Sequence, residues 1–259
     1  MTAAAGNLLR EWRQRRRLSQ LDLAVDAEIS TRHLSFVETG RANPSREMVL
    51  RLAERLNVPL RERNALLVAA GFAPVFHERS LTDPALGSVQ EAIAIVLQGH
   101  EPYPALAVDR HWTLVAANRV TMQLLGNVEP ALMEPPVNVL RVSLHPGGLA
   151  PRIANLPTWR AHLLERLRRQ IDVSADPVLI ELLRELREYP VPTGPPAQDF
   201  GGVIIPLELK AGDCILSFFS TTTVFGTPVE ITVSELAIES FFPADAATAE
   251  AMRQIVTAS

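Results

Sequence analysis

The chain has 259 residues, of which 47% are hydrophobic, and its formal net charge at pH 7 is −4. This length predicts two domains. The chain has no membrane-length apolar run and no signal-peptide pattern at its start, so the sequence predicts no membrane span and favours the cytoplasm. The single Cys214 excludes an internal disulfide and a cysteine-based zinc site, and the six scattered histidines predict no other metal site.

The charge is unevenly distributed along the chain. Residues 1–79 contain 13 arginines and nine acidic residues, whereas residues 80–259 contain 12 basic and 20 acidic ones. Arginine neutralises phosphates and releases their counterions, so the basic N-terminal part suits binding to a polyanion.

Hydrophobic spacing and capping residues predict a domain over residues 1–76 that consists of helices only. The five predicted helices span residues 7–17, 20–27, 31–38, 46–56 and 59–70. Ser19 and Ser30 are suitable N-caps for the second and third helices, and Gly40 is a suitable stop after the third. Glu28 lies in the tight turn between these two helices. In a left-handed conformation it would cost about 1 kcal/mol relative to glycine.

The stretch from Leu8 to Gly71 resembles the λ/Cro-type regulators, also called the XRE helix-turn-helix family. The resemblance rests on Leu-Ser-Gln at residues 18–20, on Ala24, Ile29, Leu34 and Val37, and on Glu38-x-Gly40 followed by a polar loop to Pro44. The chain departs from the family at Glu28, where glycine is usual. The resemblance implies a λ-repressor-like fold in which the third helix enters the major groove of double-stranded DNA.

In that fold the outward residues of the third helix, Thr31, Arg32 and Ser35, are expected to reach base edges. Arg32 can pair bidentately with guanine, which is worth about 1–3 kcal/mol of discrimination. A second group is expected to contact phosphates, which fix the register without reading sequence. Its members are Gln20, Arg41, Asn43 and Ser45.

The family resemblance also implies a structural salt bridge between Arg13 and Glu38, which would hold the first helix to the third. A five-helix protein-interaction module without a DNA target is the alternative interpretation of this domain.

Residues 77–100 are predicted to be a linker and a connecting helix. Apolar residues recur at helical spacing from Leu86 to Leu97, so this helix is amphipathic. It could couple two domains or pair with its copy in a homodimer.

Residues 101–259 are predicted to form an α+β domain. Strands are predicted at 105–109 and 112–118, helices at 119–125, 138–144, 155–171 and 177–188, strands at 201–209, 215–224 and 229–241, and a helix at 245–256. Two strands, several helices and three strands is the order of a PAS-like domain, in which helices cover a five-stranded antiparallel sheet.

Three segments of this domain resemble the ligand-binding domain of MmyB-like transcription regulators. They are VDRHWTLVAAN at 108–118, VNVLRVSLHPGGLAPRIANLPTWRAHLLERLRRQ at 137–170, and LSFFSTTTVFGTPVEITVSELAIESFFPAD at 216–245. The resemblance implies a sensor for a small apolar ligand such as a fatty acid, without another cofactor.

A pocket between the sheet and the helices would need apolar walls and a few polar anchors. The candidate walls are Trp112, Leu114, Leu140, Leu144, Trp159, Leu163, Phe218 and Phe219. The candidate carboxylate anchors are Arg141, His145, Arg160 and His162. Apolar stripes of this kind also occur in ordinary protein cores, so a solid core is the alternative.

No catalytic motif is present: HExxH, a Walker loop, GxSxG and a dinucleotide-binding glycine pattern are all missing. The sequence therefore predicts a ligand-responsive, sequence-specific transcription regulator rather than an enzyme. It would bind DNA as a homodimer. The alternative is a DNA-binding protein whose C-terminal domain is only a dimerisation or protein-docking platform.

Overall fold

The computed structural model describes residues 2–190, 204–212, 214–226 and 228–257. The chain divides into two compact units. The first unit comprises residues 1–79 together with 227–234, and the second comprises residues 80–226 and 235–259. The first unit is therefore discontinuous in sequence.

The main part of the first unit consists of the five predicted helices. These are α1 (Thr2–Arg15), α2 (Gln20–Asp26), α3 (Thr31–Glu38), α4 (Arg46–Arg55) and α5 (Leu60–Ala69). Helices α2, α3 and α4 each follow a serine whose hydroxyl accepts a backbone N–H from the first turn: Ser19, Ser30 and Ser45. Leu9, Leu23, Leu34, Leu52 and Leu67 are fully buried at the centre.

Helix α1 begins and ends earlier than the predicted range of 7–17. Gly6 does not interrupt the helix, because its backbone packs tightly against α3: a Cβ atom there would lie only 2.3 Å from the carbonyl oxygen of Val37. At the other end, Arg17 has a φ of 56°, and this left-handed conformation ends the helix.

The separate piece of the first unit contains a short helix, α11 (Ile231–Ser234), that packs against α5. The Glu230 carboxylate accepts the backbone N–H groups of Arg79 at 2.7 Å and Val233 at 2.9 Å. The backbone N–H of Ile231 donates to the carbonyl of His77 at 2.9 Å, and the Ile231 side chain is buried. The prediction of a strand from residue 229 was wrong for 229–236, because Glu230 caps a helical turn there.

Before its last strands, the described part of the second unit contains the following α-helices and strands: α6 (Gly87–Gly99), β1 (Ala105–Val108), β2 (Leu114–Ala117), α7 (Arg119–Leu124), α8 (Val139–Leu144), α9 (Leu156–Ser174) and α10 (Pro177–Glu188). They are followed by β3 (Leu207–Ala211), β4 (Cys214–Val224), β5 (Ala237–Pro243) and α12 (Ala246–Thr257). Part of the predicted strand at 201–209 lies outside the described residues.

The five strands form one antiparallel sheet in the order β2-β1-β5-β4-β3, which confirms the predicted five-stranded architecture. Strand β5 is central, and its Glu239 lies opposite Thr222 of β4 and Leu106 of β1. Side chains of a strand alternate between faces, so these three residues share one face of the sheet. Within the described residues, no helix has both the length and the apolar character that membrane crossing requires.

Candidate DNA-binding surface and ligand cavity

Helices α2 and α3 of the first unit are joined by a four-residue turn. Glu28 in this turn has a φ of 55°, so the left-handed conformation considered for it does occur. Ala24 is almost completely buried where α2 packs against α3, and a larger side chain would separate the two helices. The local sequence therefore produces a closely packed helix-turn-helix.

The predicted base-reading residues lie on the first two turns of α3. Arg32 is exposed, while Thr31 and Ser35 are partly exposed. The guanidinium of Arg32 lies 5.4 Å from the centre of the Phe36 ring, a cation–π contact that restricts its orientation. Spacing of one and four residues places these three polar side chains on adjoining parts of one helical surface.

The predicted phosphate-contacting residues fall into two groups. Arg41, Asn43 and Ser45 are exposed in the segment after α3, and Ser45 also caps α4 through a bond from the Met48 N–H. Gln20 is instead turned partly inward, and its side-chain amide donates to Glu38 at 2.8 Å. Gln20 therefore has a structural contact that the sequence did not indicate.

The structure brings Arg13 and Glu38 together as a buried bidentate pair. Arg13 Nε donates to Glu38 Oε1 at 2.6 Å and Nη2 donates to Oε2 at 2.8 Å. Burial alone would raise the pKa of Glu38, but hydrogen bonds from Arg13 and Gln20 and the Arg13 charge outweigh it and hold that pKa below its ordinary value. The pair ties α1 to the last residue of the recognition helix.

The second unit contains a cavity of about 100 Å³ between one face of the sheet and helices α7, α8 and α9. Apolar side chains dominate its walls, including Leu106, Trp112, Leu114, Leu124, Leu140, Trp159, Leu163, Leu209, Phe218 and Phe241. Trp112, Leu114, Leu140, Trp159, Leu163 and Phe218 were predicted from the sequence. The predicted wall residues Leu144 and Phe219 do not line the cavity: Leu144 is buried in the core, and Phe219 stacks on Phe242.

The polar residues of the cavity wall are Thr121, Ser143, Arg166, Ser220 and Glu239. Arg166 Nη1 donates to Glu239 Oε2 at 2.9 Å, and Nη2 donates to Thr222 Oγ1 at 2.7 Å. The indole of Trp112 lies against the same guanidinium, 4.6 Å from ring centre to its central carbon. The wall of this mostly apolar cavity therefore includes one charged pair, Arg166 and Glu239, whose charges balance each other.

Trp112 itself has an unusual backbone. Its φ is 65°, a left-handed value that is rare and strained for a bulky residue. The Asp109 carboxylate holds the turn by accepting the N–H groups of His111 and Thr113, both at 2.8 Å. The indole N–H donates to Gln170 at 2.8 Å, so hydrogen bonds fix this wall of the cavity from both ends.

The predicted carboxylate anchors do not line this cavity. Arg141 is paired with Glu185, with Nη2 to Oε2 at 2.8 Å, and the hydrogen bond lowers the pKa of that carboxyl. His145 Nδ1 accepts the N–H of Gly147 at 3.0 Å. These two side chains lie beside α10 rather than behind the sheet, because α8 faces the cavity with Leu140 and Ser143.

Arg160, the third predicted anchor, serves a different part of the fold. It donates to the carbonyl oxygens of Leu186 at 3.2 Å and Arg187 at 2.8 Å, which belong to the last turn of α10. A cation is favourable at that end of a helix. Arg160 therefore holds α9 to α10.

Arg166 is the cavity cation that the sequence interpretation missed. It follows Trp159 by seven residues and Leu163 by three, so helical spacing places all three on one face of α9. That spacing was the available signal. Glu239 carried no comparable signal, because its pairing depends on the register between β4 and β5. In the described part of the chain, no group of three or more His, Cys, Asp or Glu side chains is arranged to hold a metal ion.

The chain combines a helix-turn-helix unit with a sheet domain that contains an apolar cavity. Residues 4–66 match the helix-turn-helix domain family, and residues 89–255 match the MmyB-like transcription regulator ligand binding domain. The chain belongs to the family of MmyB-like transcription regulators.

Individual relatives match only parts of the molecule. A protein of Methanoculleus marisnigri assigned as an HTH-type transcriptional regulatory protein is 34% identical over 130 residues, which are 48% of this chain and 42% of that protein. The chain thus matches less than half the length of that relative.

Two solved structures are also similar. The clp gene regulator ClgR from C. glutamicum matches 27% of this chain and 87% of its own, at 26% identity and a TM-score of 0.24. An RNA-binding light-oxygen-voltage receptor matches 99% of this chain and 64% of its own, at 12% identity and a TM-score of 0.25. These TM-scores are too low for either similarity to support a conclusion about the fold or the function.

Proposed function

We propose that the protein is a ligand-responsive regulator that binds a specific DNA operator as a homodimer through α3. A small apolar molecule in the cavity, from the class that includes fatty acids and their derivatives, changes the affinity for DNA. The observation that carries the proposal is the combination in one chain of an exposed Arg32 on a recognition helix and a mainly apolar cavity in a PAS-like second unit.

Base reading by α3 can be separated from phosphate contact by two matched arginine variants. Arg32→Ala is expected to lose about 1–3 kcal/mol of discrimination at one base position. Arg41→Ala is expected to weaken all sequences equally and to reduce the salt dependence by about one ion. Fluorescence anisotropy with the operator and its single-base variants measures both effects. Equal losses on every sequence for both variants would contradict the assignment to Arg32.

The dimer is a separate part of the proposal. Two copies of α3 would read half-sites about one helical turn, roughly 34 Å, apart. Analytical ultracentrifugation with operators of varied half-site spacing tests this arrangement. A one-to-one complex at every spacing would rule it out.

The size of the cavity bears on how a ligand could act. Its volume of about 100 Å³ is below the roughly 300–1,000 Å³ of most sites for drug-sized ligands. A longer ligand therefore has to widen the space between the sheet and helices α7, α8 and α9. A ligand that binds such an expanded state better than the compact one shifts the population between them.

The segment 228–234 supports a route from the cavity to the DNA-binding unit. This segment connects β4 to β5, whose Phe218, Ser220 and Glu239 line the cavity. Its Glu230 and Ile231 are nevertheless buried in the first unit. Displacement of the two strands would therefore pull on residues that pack against α5.

A two-residue Gly-Ser insertion after Gly226 tests this route. We expect the variant to bind the operator and the ligand normally but to lose the effect of ligand on operator affinity. The matched control is the same insertion after Gly212, an exposed turn residue that is not on this connection. An unchanged ligand effect in the Gly226 variant would rule out the route.

Native mass spectrometry of the purified protein tests the sensor itself. A co-purified apolar molecule is expected, and its removal should change operator affinity. If no apolar molecule binds and none alters operator affinity, the second unit is a dimerisation or docking platform instead.

A further inference from the structure

The charged part of the cavity wall is a salt bridge between Arg166 and Glu239 rather than a lone cation. Glu239 Oε2 accepts from Arg166 Nη1, and Oε1 accepts from Arg166 Nη2 and, at 2.9 Å, from Thr222 Oγ1. Both terminal nitrogens of the guanidinium are therefore engaged. The formal charge of the pair is zero.

Three parts of the fold hold this pair in place. The register puts Thr222 directly opposite Glu239, and the Glu239 side chain is only 5% exposed. Helix α9 brings Arg166 to the same point from across the cavity. The strained turn then lays the Trp112 ring against the guanidinium. Reorienting Arg166 toward a ligand would break contacts to all three.

A carboxylate ligand would meet this pair at a high cost. It would lose its hydration on entry. A carboxylate that replaced either of the bonds from Nη1 or Nη2 to Glu239 would also be repelled by the Glu239 carboxylate, and displacing Glu239 would leave a buried charge without its partner. An uncharged hydroxyl, ester or amide needs only one hydrogen bond, and the remaining polar wall residues, Thr121, Ser143 and Ser220, are uncharged.

We infer that the cavity selects uncharged amphiphiles over carboxylates of the same chain length, and that Glu239 determines this selectivity. The inference rests on the proposed function, since it concerns the ligand of the same cavity. It narrows the class from fatty acids in general to their uncharged relatives, such as alcohols, esters and amides.

Decanol and decanoate are a matched pair of probes with one chain length. Isothermal titration calorimetry of the full chain near neutral pH is expected to show decanol binding at least about tenfold more tightly than decanoate, because only the latter carries a charge into the cavity. This comparison needs no variant, so it decides the matter even if a substitution impairs folding.

Glu239→Gln is expected to abolish most of the preference. The amide has the size of the carboxylate but leaves the Arg166 charge unbalanced, so decanoate should bind about tenfold more tightly than it does to the unmodified protein. Decanol affinity should change little. Glu165→Gln on α9, the helix that also contains Arg166, is the control, because the Glu165 carboxylate pairs with Arg168 at 2.8 Å on the protein surface. It should alter neither affinity.

The outcomes separate the two proposals. Decanoate binding to the unmodified protein as tightly as decanol would overturn the inference and leave the sensor function standing. An unchanged preference in a folded Glu239→Gln variant would overturn the role of Glu239. If neither decanol nor decanoate binds, and no other apolar molecule does, the sensor function itself fails.

Discussion

Each unit of the molecule contains an arginine–glutamate pair that is bidentate and largely buried, yet the two pairs have different surroundings. The side chains of Arg13 and Glu38 are only 10% and 1% exposed. Arg13 also donates to the carbonyl of Leu18, and Glu38 also accepts from the Gln20 amide. Arg166 and Glu239 border a cavity. The buried Arg13–Glu38 pair therefore holds two helices together. The Arg166–Glu239 pair, by contrast, lies where a ligand in the cavity could meet it.

The packing around the two pairs differs in the same sense. Beside the first pair, α1 lies so close to α3 that Gly6 has no room for a methyl group. Beside the second, the sheet and α9 leave about 100 Å³ unfilled. Adding atoms should therefore destabilise the protein beside the first pair and be tolerated in the space beside the second pair.

The largest effect is expected from Glu38→Gln. The substitution leaves the buried Arg13 charge without its partner, which should cost about 3–5 kcal/mol of the free energy of unfolding of the first unit. Hydrogen exchange of the α1 and α3 amides measures this unit separately, which matters because the two units need not unfold together. Glu54→Gln, at an exposed position of α4, is the control. A loss no larger than that of the control would contradict the structural role of the pair.

The same pair predicts a pH dependence. Because the pKa of Glu38 is lowered in the folded state, its contribution is complete above its unfolded pKa of about 4.3 and is lost as the pH falls through the lower folded value. The stability difference between the unmodified protein and Glu38→Gln should therefore be constant near neutrality and shrink below about pH 4.3. Urea titrations at several pH values test this. A difference that grows on acidification would contradict the lowered pKa.

Gly6→Ala should have the next largest effect. A methyl group 2.3 Å from the Val37 carbonyl oxygen forces α1 away from α3, for which about 1–3 kcal/mol is expected. The matched control is Gly99→Ala at the end of α6, where a Cβ would meet no atom within 4 Å. Thermal unfolding followed by circular dichroism compares the two. Equal stability of both variants would show that the close approach is not real.

Glu239→Gln should destabilise the second unit by less than Glu38→Gln destabilises the first. The Arg166 side chain is 28% exposed, so solvent screens the charge that the substitution leaves behind, and about 1–2 kcal/mol is expected. Hydrogen exchange of β4 and β5 gives the value. A loss as large as that of Glu38→Gln would remove the distinction drawn between the two pairs.

The smallest effect on stability is expected from Ser220→Val. One methyl group replaces the hydroxyl and a second is added on the cavity face of β4, where space is unfilled; because a β-branched residue also suits a strand, the change should stay within about 0.5 kcal/mol. Ligand binding, measured by calorimetry with decanol, should fall sharply because the space is filled. Normal binding would show that the ligand lies elsewhere.

Local signals in the sequence were sufficient for most of the first unit. The serine caps, the buried leucines and the motif around Ala24 and Val37 identify α2 to α4 with bounds within one residue of the structure. The sequence prediction started α1 at residue 7, but the helix continues through Gly6, where only glycine fits beside α3. The need for a glycine there comes from α3, which lies thirty residues further along the chain.

The second unit was harder, because its site depends on contacts between distant segments. The apolar walls followed from helical and strand periodicity. The anchors Arg141 and Arg160 did not, since choosing among several arginines on α8 and α9 requires knowing which helical face is turned to the sheet. The strand prediction failed at residues 231–234 for a different reason. Thr and Val favour strands locally, but the Glu230 carboxylate accepts the N–H of Val233 and stabilises a helical turn there.

The insertion of residues 228–234 into the first unit limits how such proteins can be recombined. A chimaera made by one junction near residue 79 would combine residues 1–79, here called the head, with a foreign β4–β5 connection. The space that Ile231 fills beside α5 would then be empty or filled by a side chain that does not fit. A functional exchange of sensors needs two further junctions, so that residues 228–234 travel with the head to which they are fitted. Natural shuffling of the two units faces the same requirement, and the head and the β4–β5 connection are therefore expected to be inherited together.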